Sequence, residues 1–127
     1  MSHFSIIKTK LKNKPQLLEA LQLLQYDVQE DQELINPIDH QHEKVKVDVA
    51  IGTDIGFRLN NNGEYELVAD IQTWNQPIPP KRLIEKVTQQ YARVTVYNKI
   101  EEIGFKVREE WEMDDNSIEI TATRWVE

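Results

Sequence analysis

Apolar residues follow two periods along this chain, and the alternation between them outlines a fold. From Pro80 to Phe105 they recur at helical spacing, which predicts one helix of about six turns. Pro77, Pro79 and Pro80 lead into it. Gly104 stands where a helix-ending residue with positive φ is wanted, and Phe105 follows as an apolar lock. Elsewhere the period is two, and the segments read as strands. His3 to Leu11 is such a strand, with Phe4, Ile6 and Ile7 among polar neighbours. Asn13 is placed to cap a short helix, with Gln16 at capping-box spacing and Pro15 in the first turn. Leu17, Leu18, Leu21 and Leu24 make its apolar stripe, which ends near Gln25. Tyr26 and Val28 alternate with Asp27 and Gln29 as a short strand. The polar segment Glu30 to Glu43, with Asn36-Pro37 inside it, reads as a loop.

The central region alternates most clearly. In Lys44 to Ile51, Val45, Val47, Val49 and Ile51 face one way, and Lys46, Asp48 and Ala50 the other. Gly52-Thr53-Asp54 turns the chain into a strand from Ile55 to Asn60, with Phe57 and Leu59 inward. Asn60-Asn61-Asn62-Gly63 is a hairpin turn, because Asn and Gly tolerate positive φ. Tyr65, Leu67, Ala69 and Ile71 continue as its partner. After the long helix, Phe105, Val107, Glu109, Trp111 and Met113 share one strand face. Asp114-Asp115-Asn116-Ser117 then turns the chain into a last strand, with Ile118, Ile120 and Ala122 on one face, running to about Val126. These pieces predict a single α+β domain over residues 1–127. It would be a mostly antiparallel twisted sheet with a short N-terminal helix and one long helix packed on one face. The segment 24–30 echoes 103–109 in apolar pattern. That suggests two similar units around one sheet, or simply that helix-to-strand turns look alike.

Two surfaces stand out. On the long helix Leu83, Ile84, Val87, Tyr91 and Val94 fall on one side, and Ala92, Val96, Ile100 and Ile103 on the opposite side. Either the last strands wrap that second stripe, or it is a groove for a partner. By strand parity the sheet's open face receives Arg58, Val68, Asp70, Gln72, Trp74 and Trp125. Arg58, Asp70, Trp74 and Trp125 are thus candidate partner-binding residues, tryptophan and arginine being common interface anchors. The plainer reading has Trp74 capping the sheet edge and Trp125 packed under a neighbour. Parity turns Arg124 inward, which demands a carboxylate, a bulge or an early strand end. The rival is a small-molecule pocket between the long helix and the sheet, lined by Tyr91, Tyr97, Trp111 and Arg124.

Composition narrows the chemistry. The 127 residues include no cysteine, so there is no disulfide framework or thiol nucleophile, and a reducing cytosol is compatible. Fifteen Lys and Arg against 22 Asp and Glu give a net charge of −7, which argues against nucleic acid or an anionic membrane surface. No transmembrane segment or signal peptide is expected. His40 and His42, beside Asp39 and Glu43, lack a third distant ligand, and His3 stands alone, so no metal site is assigned. No glycine-rich phosphate cradle or nucleophile elbow occurs, no acidic pair flanks a recognisable cleft, and neither a cofactor nor a catalytic residue is assigned.

Several short motifs carry a family resemblance. They are Met1-Ser2-His3-Phe4-Ser5 with Ile7-Lys8-Thr9-Lys10, the leucine-rich helix ending near Tyr26, and Tyr65-Glu66 with Asp70 and Trp74. Gln90-Tyr91-Ala92, Gly104-Phe105 and the closing Arg124-Trp125 complete the set. Over nearly its full length the chain resembles the hypothetical chloroplast reading frame thirty-five family of cyanobacteria and algal plastids, a family of unknown function. Gln25 departs from the Gly expected before Tyr26. The resemblance implies a cytoplasmic or stromal accessory protein in a photosynthetic cell, without a catalytic motif to carry over. Relatives encoded near small ferredoxin-like proteins imply a redox or assembly partner. The expected function is therefore a non-enzymatic assembly factor that binds a protein.

Overall fold

The computed structural model describes residues 4–35, 44–115 and 117–124. The α+β expectation holds: two helices accompany strands that pair antiparallel throughout. In chain order these are β1 (Phe4–Lys8), α1 (Lys14–Leu23), β2 (Gln29–Ile35), β3 (Lys44–Ala50), β4 (Ile55–Leu59), β5 (Tyr65–Asp70), α2 (Pro80–Glu102), β6 (Phe105–Glu112) and β7 (Ile118–Arg124). A five-stranded sheet has the order β1-β5-β4-β3-β2, and β6 and β7 form a separate two-stranded sheet.

Local chemistry fixes the helix ends. The Asn13 side chain accepts the Gln16 N–H at 3.1 Å, capping α1 as the sequence predicts. At its other end Gln25 N–H donates to Gln22 O and Tyr26 N–H to Leu21 O, a Schellman closure with Gln25 at φ 68°. Gly104 does the same job after α2, at φ 81°. The repeated apolar pattern is therefore a shared helix-ending device, and the two units do not surround one sheet. Gln25→Gly removes a Cβ from a left-handed position. We expect it to raise stability by about 1 kcal/mol, or about 3 °C in Tm, by thermal denaturation.

The main core lies between the five-stranded sheet and the two helices. Leu17, Ala20 and Leu21 of α1 and Leu83 and Val87 of α2 pack on Val49, Phe57, Tyr65, Leu67 and Ala69. Trp74 joins this cluster, and its indole N–H donates to Ile78 O at 2.7 Å, pinning the loop that starts α2.

Three departures from the sequence reading change which surfaces are exposed. First, the polar segment after Gln29 is a strand as far as Ile35. It is an edge strand exposed along most of its length, with Leu34 as its buried anchor, so no alternation marks it. Lys14 Nζ meets Glu30 at 2.9 Å and ties the strand to α1. Second, the sheet's other face is not open. Val47 and Ala50 of β3, Leu34 of β2 and Val68 of β5 form a second buried cluster, with Phe4 and Val45 against it. Leu34 of β2 and Val47 of β3 thus cover part of that face. β3 pairs with β4 through Val49 and Ala50, and beyond them Asp48 Oδ2 accepts the Leu59 N–H at 2.7 Å. Val47 there lies over Gly56, whose missing side chain leaves the space. Third, the last two strands do not join the main sheet.

Candidate functional site: the arm formed by the end of α2 and the terminal hairpin

The first half of α2 is core and the second half is not. Val94 is its last buried residue, and on the opposite side Val96 and Ile103 are 41% and 54% exposed. The second stripe is therefore left bare for much of its length, although Ile100 is half-buried. What rests beside it is the β6–β7 hairpin. No residue of β6 or β7 is fully buried.

A clasp of three polar side chains holds hairpin to helix. Arg93 Nε donates to Glu110 Oε1 at 2.6 Å, and the Tyr97 hydroxyl donates to the second carboxylate oxygen. The Arg93 guanidinium also sits 4.6 Å from the Tyr97 ring centre, a cation–π contact. The hydrogen bond from Arg93, seconded by that from Tyr97, holds the Glu110 carboxyl below the usual carboxylate range. The same carboxylate pushes the Tyr97 hydroxyl upward.

The clasp depends on an irregularity that the sequence conceals. The β6–β7 register slips between Val107 and Glu109. Before the slip Val107 opposes Ala122, and after it Glu110 opposes Ile120. A bulge of this kind reverses parity. Glu110 consequently shares the helix-facing side with Val107, and Trp111, opposite Glu119, turns to the outer side. Trp111 is 43% exposed and Met113 40%. The single face expected for Phe105, Val107, Glu109, Trp111 and Met113 is thus split.

The candidate residues lie in separate places. Asp70 is 1% exposed, opposite Phe4 in the register, and its Oδ1 accepts the Gln72 N–H at 2.9 Å. Arg58 faces Glu66 across β4 and β5 at 3.7 Å and borders a depression of about 590 Å³ that Asp31, Glu33, Lys46 and Asp48 also line. Trp74 is half-buried and engaged as described. Trp125 lies outside the described residues, as do His3, His40 and His42.

Nor do Tyr91, Tyr97, Trp111 and Arg124 line one cavity. The Tyr91 hydroxyl accepts the N–H groups of Lys12 and Asn13 at the start of α1. Tyr97 belongs to the clasp, Trp111 points outward, and Arg124 is exposed opposite Phe105. The space between α2 and the main sheet is filled by leucine, valine and phenylalanine side chains. Sequence reasoning missed Arg93 and Glu110. The available signal was an Arg93–Tyr97 pair at i,i+4 facing the acidic run at Glu109-Glu110.

Among the described residues no helix is long and apolar enough to cross a membrane. No group of three or more His, Cys, Asp or Glu among them could hold a metal ion. No solved structure matches the chain. The profile of the family described as "Protein of unknown function (DUF1257)" matches residues 20–121. The chain is 33% identical to "Uncharacterized protein ycf35" of Pyropia yezoensis, over 98% of both chains. It is 31% identical to the protein of that name in Cyanophora paradoxa and 32% in Guillardia theta, again over 98% of each. At that identity over almost the whole length, the chain belongs to the ycf35 family of uncharacterised proteins.

Proposed function

We propose that this protein is a non-enzymatic accessory or assembly factor that holds a protein partner on the outer face of its terminal hairpin. The observation that carries this reading is the exposure of Trp111, with Met113 near it, on a two-stranded sheet that is bound to the body of the protein from its other side. Tryptophan is enriched among the residues that dominate binding energy, and an exposed indole on a supported strand is preorganised for that role. On this outer face Glu119 stands directly opposite the indole, and Thr121 is the next outward residue along β7. The family resemblance adds the setting, the cytosol or plastid stroma of a photosynthetic cell, and a photosynthetic or ferredoxin-linked partner.

Affinity capture from such a cell, with wild-type protein and Trp111→Ala in parallel, tests the proposal. The proteins retained by wild type are then purified and their binding measured directly. Trp111→Ala is expected to weaken that binding about thirtyfold, the effect of losing about 2 kcal/mol at an interface anchor. Stability should change by no more than about 0.5 kcal/mol, because the indole is exposed in the free chain. A folded variant that binds the same partner with unchanged affinity would remove the hairpin face from consideration.

A further inference from the structure

We infer that the protein pairs with a second copy of itself along β7, joining two terminal hairpins into one four-stranded sheet with both α2 helices on the same side. The free edge of β7 and the bare stripe of α2 lie together. Gln89, Ala92, Arg93 and Val96 line a depression of about 180 Å³ with Ser117, Ile118 and Ile120. Tyr97, Ile100 and Glu101 lie over Phe105, Lys106 and Val107 on the β6 side instead. The Ala92–Val96 part of the apolar stripe therefore overhangs the strand edge that has no neighbour among the described residues, on the side of α2 turned away from the main core.

The other edges are guarded and β7 is not. β2 carries Glu30, Asp31 and Glu33, with Asp31 at positive φ, and β1 is short and carries Lys8. β6 carries Lys106, Arg108, Glu109, Glu110 and Glu112 together with the bulge. β7 reads Ile118-Glu119-Ile120-Thr121-Ala122-Thr123-Arg124, with five uncharged residues and one charge of each sign. Antiparallel self-pairing centred on Thr121 uses all seven residues. It sets Ile120 against Ala122 and Glu119 against Thr123 of the second copy, so no like charges meet. Because such pairing matches residues of equal parity, the helix-facing sides of both hairpins fall on one side of the joint sheet. The hairpin centres then lie two strand spacings apart, about 9–10 Å, which is the distance at which helices pack. Each α2 stripe would thus cover the other, giving Val96 and Ile103 the contact they lack within one chain. The Trp111 faces remain on the opposite side of the joint sheet, free for a different partner.

Sedimentation and light scattering of the purified chain should report twice its own mass at high micromolar concentration. Val96→Glu, at a site exposed within one chain, should raise the dimer dissociation constant about a hundredfold while circular dichroism stays unchanged. The absence of cysteine allows a positional test. Thr121→Cys, placed on the two-fold axis, should cross-link under mild oxidation, since directly opposed Cα atoms sit about 4.5–5.5 Å apart, within disulfide reach. Gln32→Cys, on the β2 edge, should not cross-link. A wild-type chain that stays monomeric, or a dimer that cross-links through Gln32→Cys and not Thr121→Cys, overturns the inference.

Discussion

Replacing Gly56 with alanine is expected to lower the unfolding free energy by about 2–3 kcal/mol. A Cβ built on Gly56 falls 2.7 Å from the Val49 carbonyl oxygen and 2.8 Å from Val47 Cγ2. The first of these is backbone of the adjacent strand, so relief requires β3 to move and not merely a side chain to rotate. That movement would lift Val47 from the cluster it forms with Leu34, Ala50 and Val68. Burial of an aliphatic side chain is worth roughly 1.5–3 kcal/mol, a large part of a domain's net stability of about 5–15 kcal/mol. Gly63→Ala provides the control. Gly63 sits at φ 79° with nothing within 4 Å of its added Cβ, so its cost is conformational, about 1 kcal/mol. Urea denaturation of both variants should therefore rank Gly56→Ala well below Gly63→Ala. Equal costs would mean that β3 does not cross the second face as closely as the structure has it.

The same crossing shows where sequence reasoning stops. Features set by near neighbours were legible: the Asn13 cap, the Asn60–Gly63 turn and the end of α2 at Gly104. Each depends on a few residues whose backbone preferences or side-chain oxygens act locally. The switch of Val47 to the second face depends on Gly56, several residues away on another strand, and alternation along β3 cannot report it. β2 was hidden because an edge strand needs few apolar residues, and here Leu34 suffices. The bulge at Val107/Glu109 had the largest consequence for the hairpin's two faces. Simple parity put Trp111 with Val107 and left Glu110 in solvent, whereas one extra residue reverses both. The spare stripe on α2 was visible as a stripe. Whether the last strands would cover it depended on their pairing partners, which periodicity does not encode.

Removing the clasp should free the hairpin without unfolding the body of the protein. A two-stranded sheet is at best marginally stable alone, and this one has no fully buried residue. Its attachment rests on Glu110 as the common acceptor for Arg93 and Tyr97. Charged hydrogen bonds contribute about 1.5–3 kcal/mol when desolvated, and the partial exposure of both side chains reduces this to about 1–2 kcal/mol. Glu110→Ala should accordingly raise amide exchange in β6 and β7 about 5- to 30-fold and leave β4 and β5 protected. The pH dependence has two limbs. The Glu110 pKa is depressed in the folded chain, so its contribution is complete above the ordinary carboxylate range and lost as pH falls through the depressed value. The Tyr97 pKa is raised, so its contribution is complete below the ordinary phenol value and lost as pH rises through the elevated one. Hairpin protection should thus be flat between about pH 5 and pH 9 and fall on either side. Glu110→Gln keeps an acceptor of similar shape without the titrating charge. Its exchange should be faster than wild type at neutral pH and lack the acid limb. An acid limb of equal size in Glu110→Gln and wild type would assign the loss to other carboxylates. Trp111 rides on the same strand as Glu110, so an intact clasp is also required to hold the exposed indole in the geometry a partner would meet.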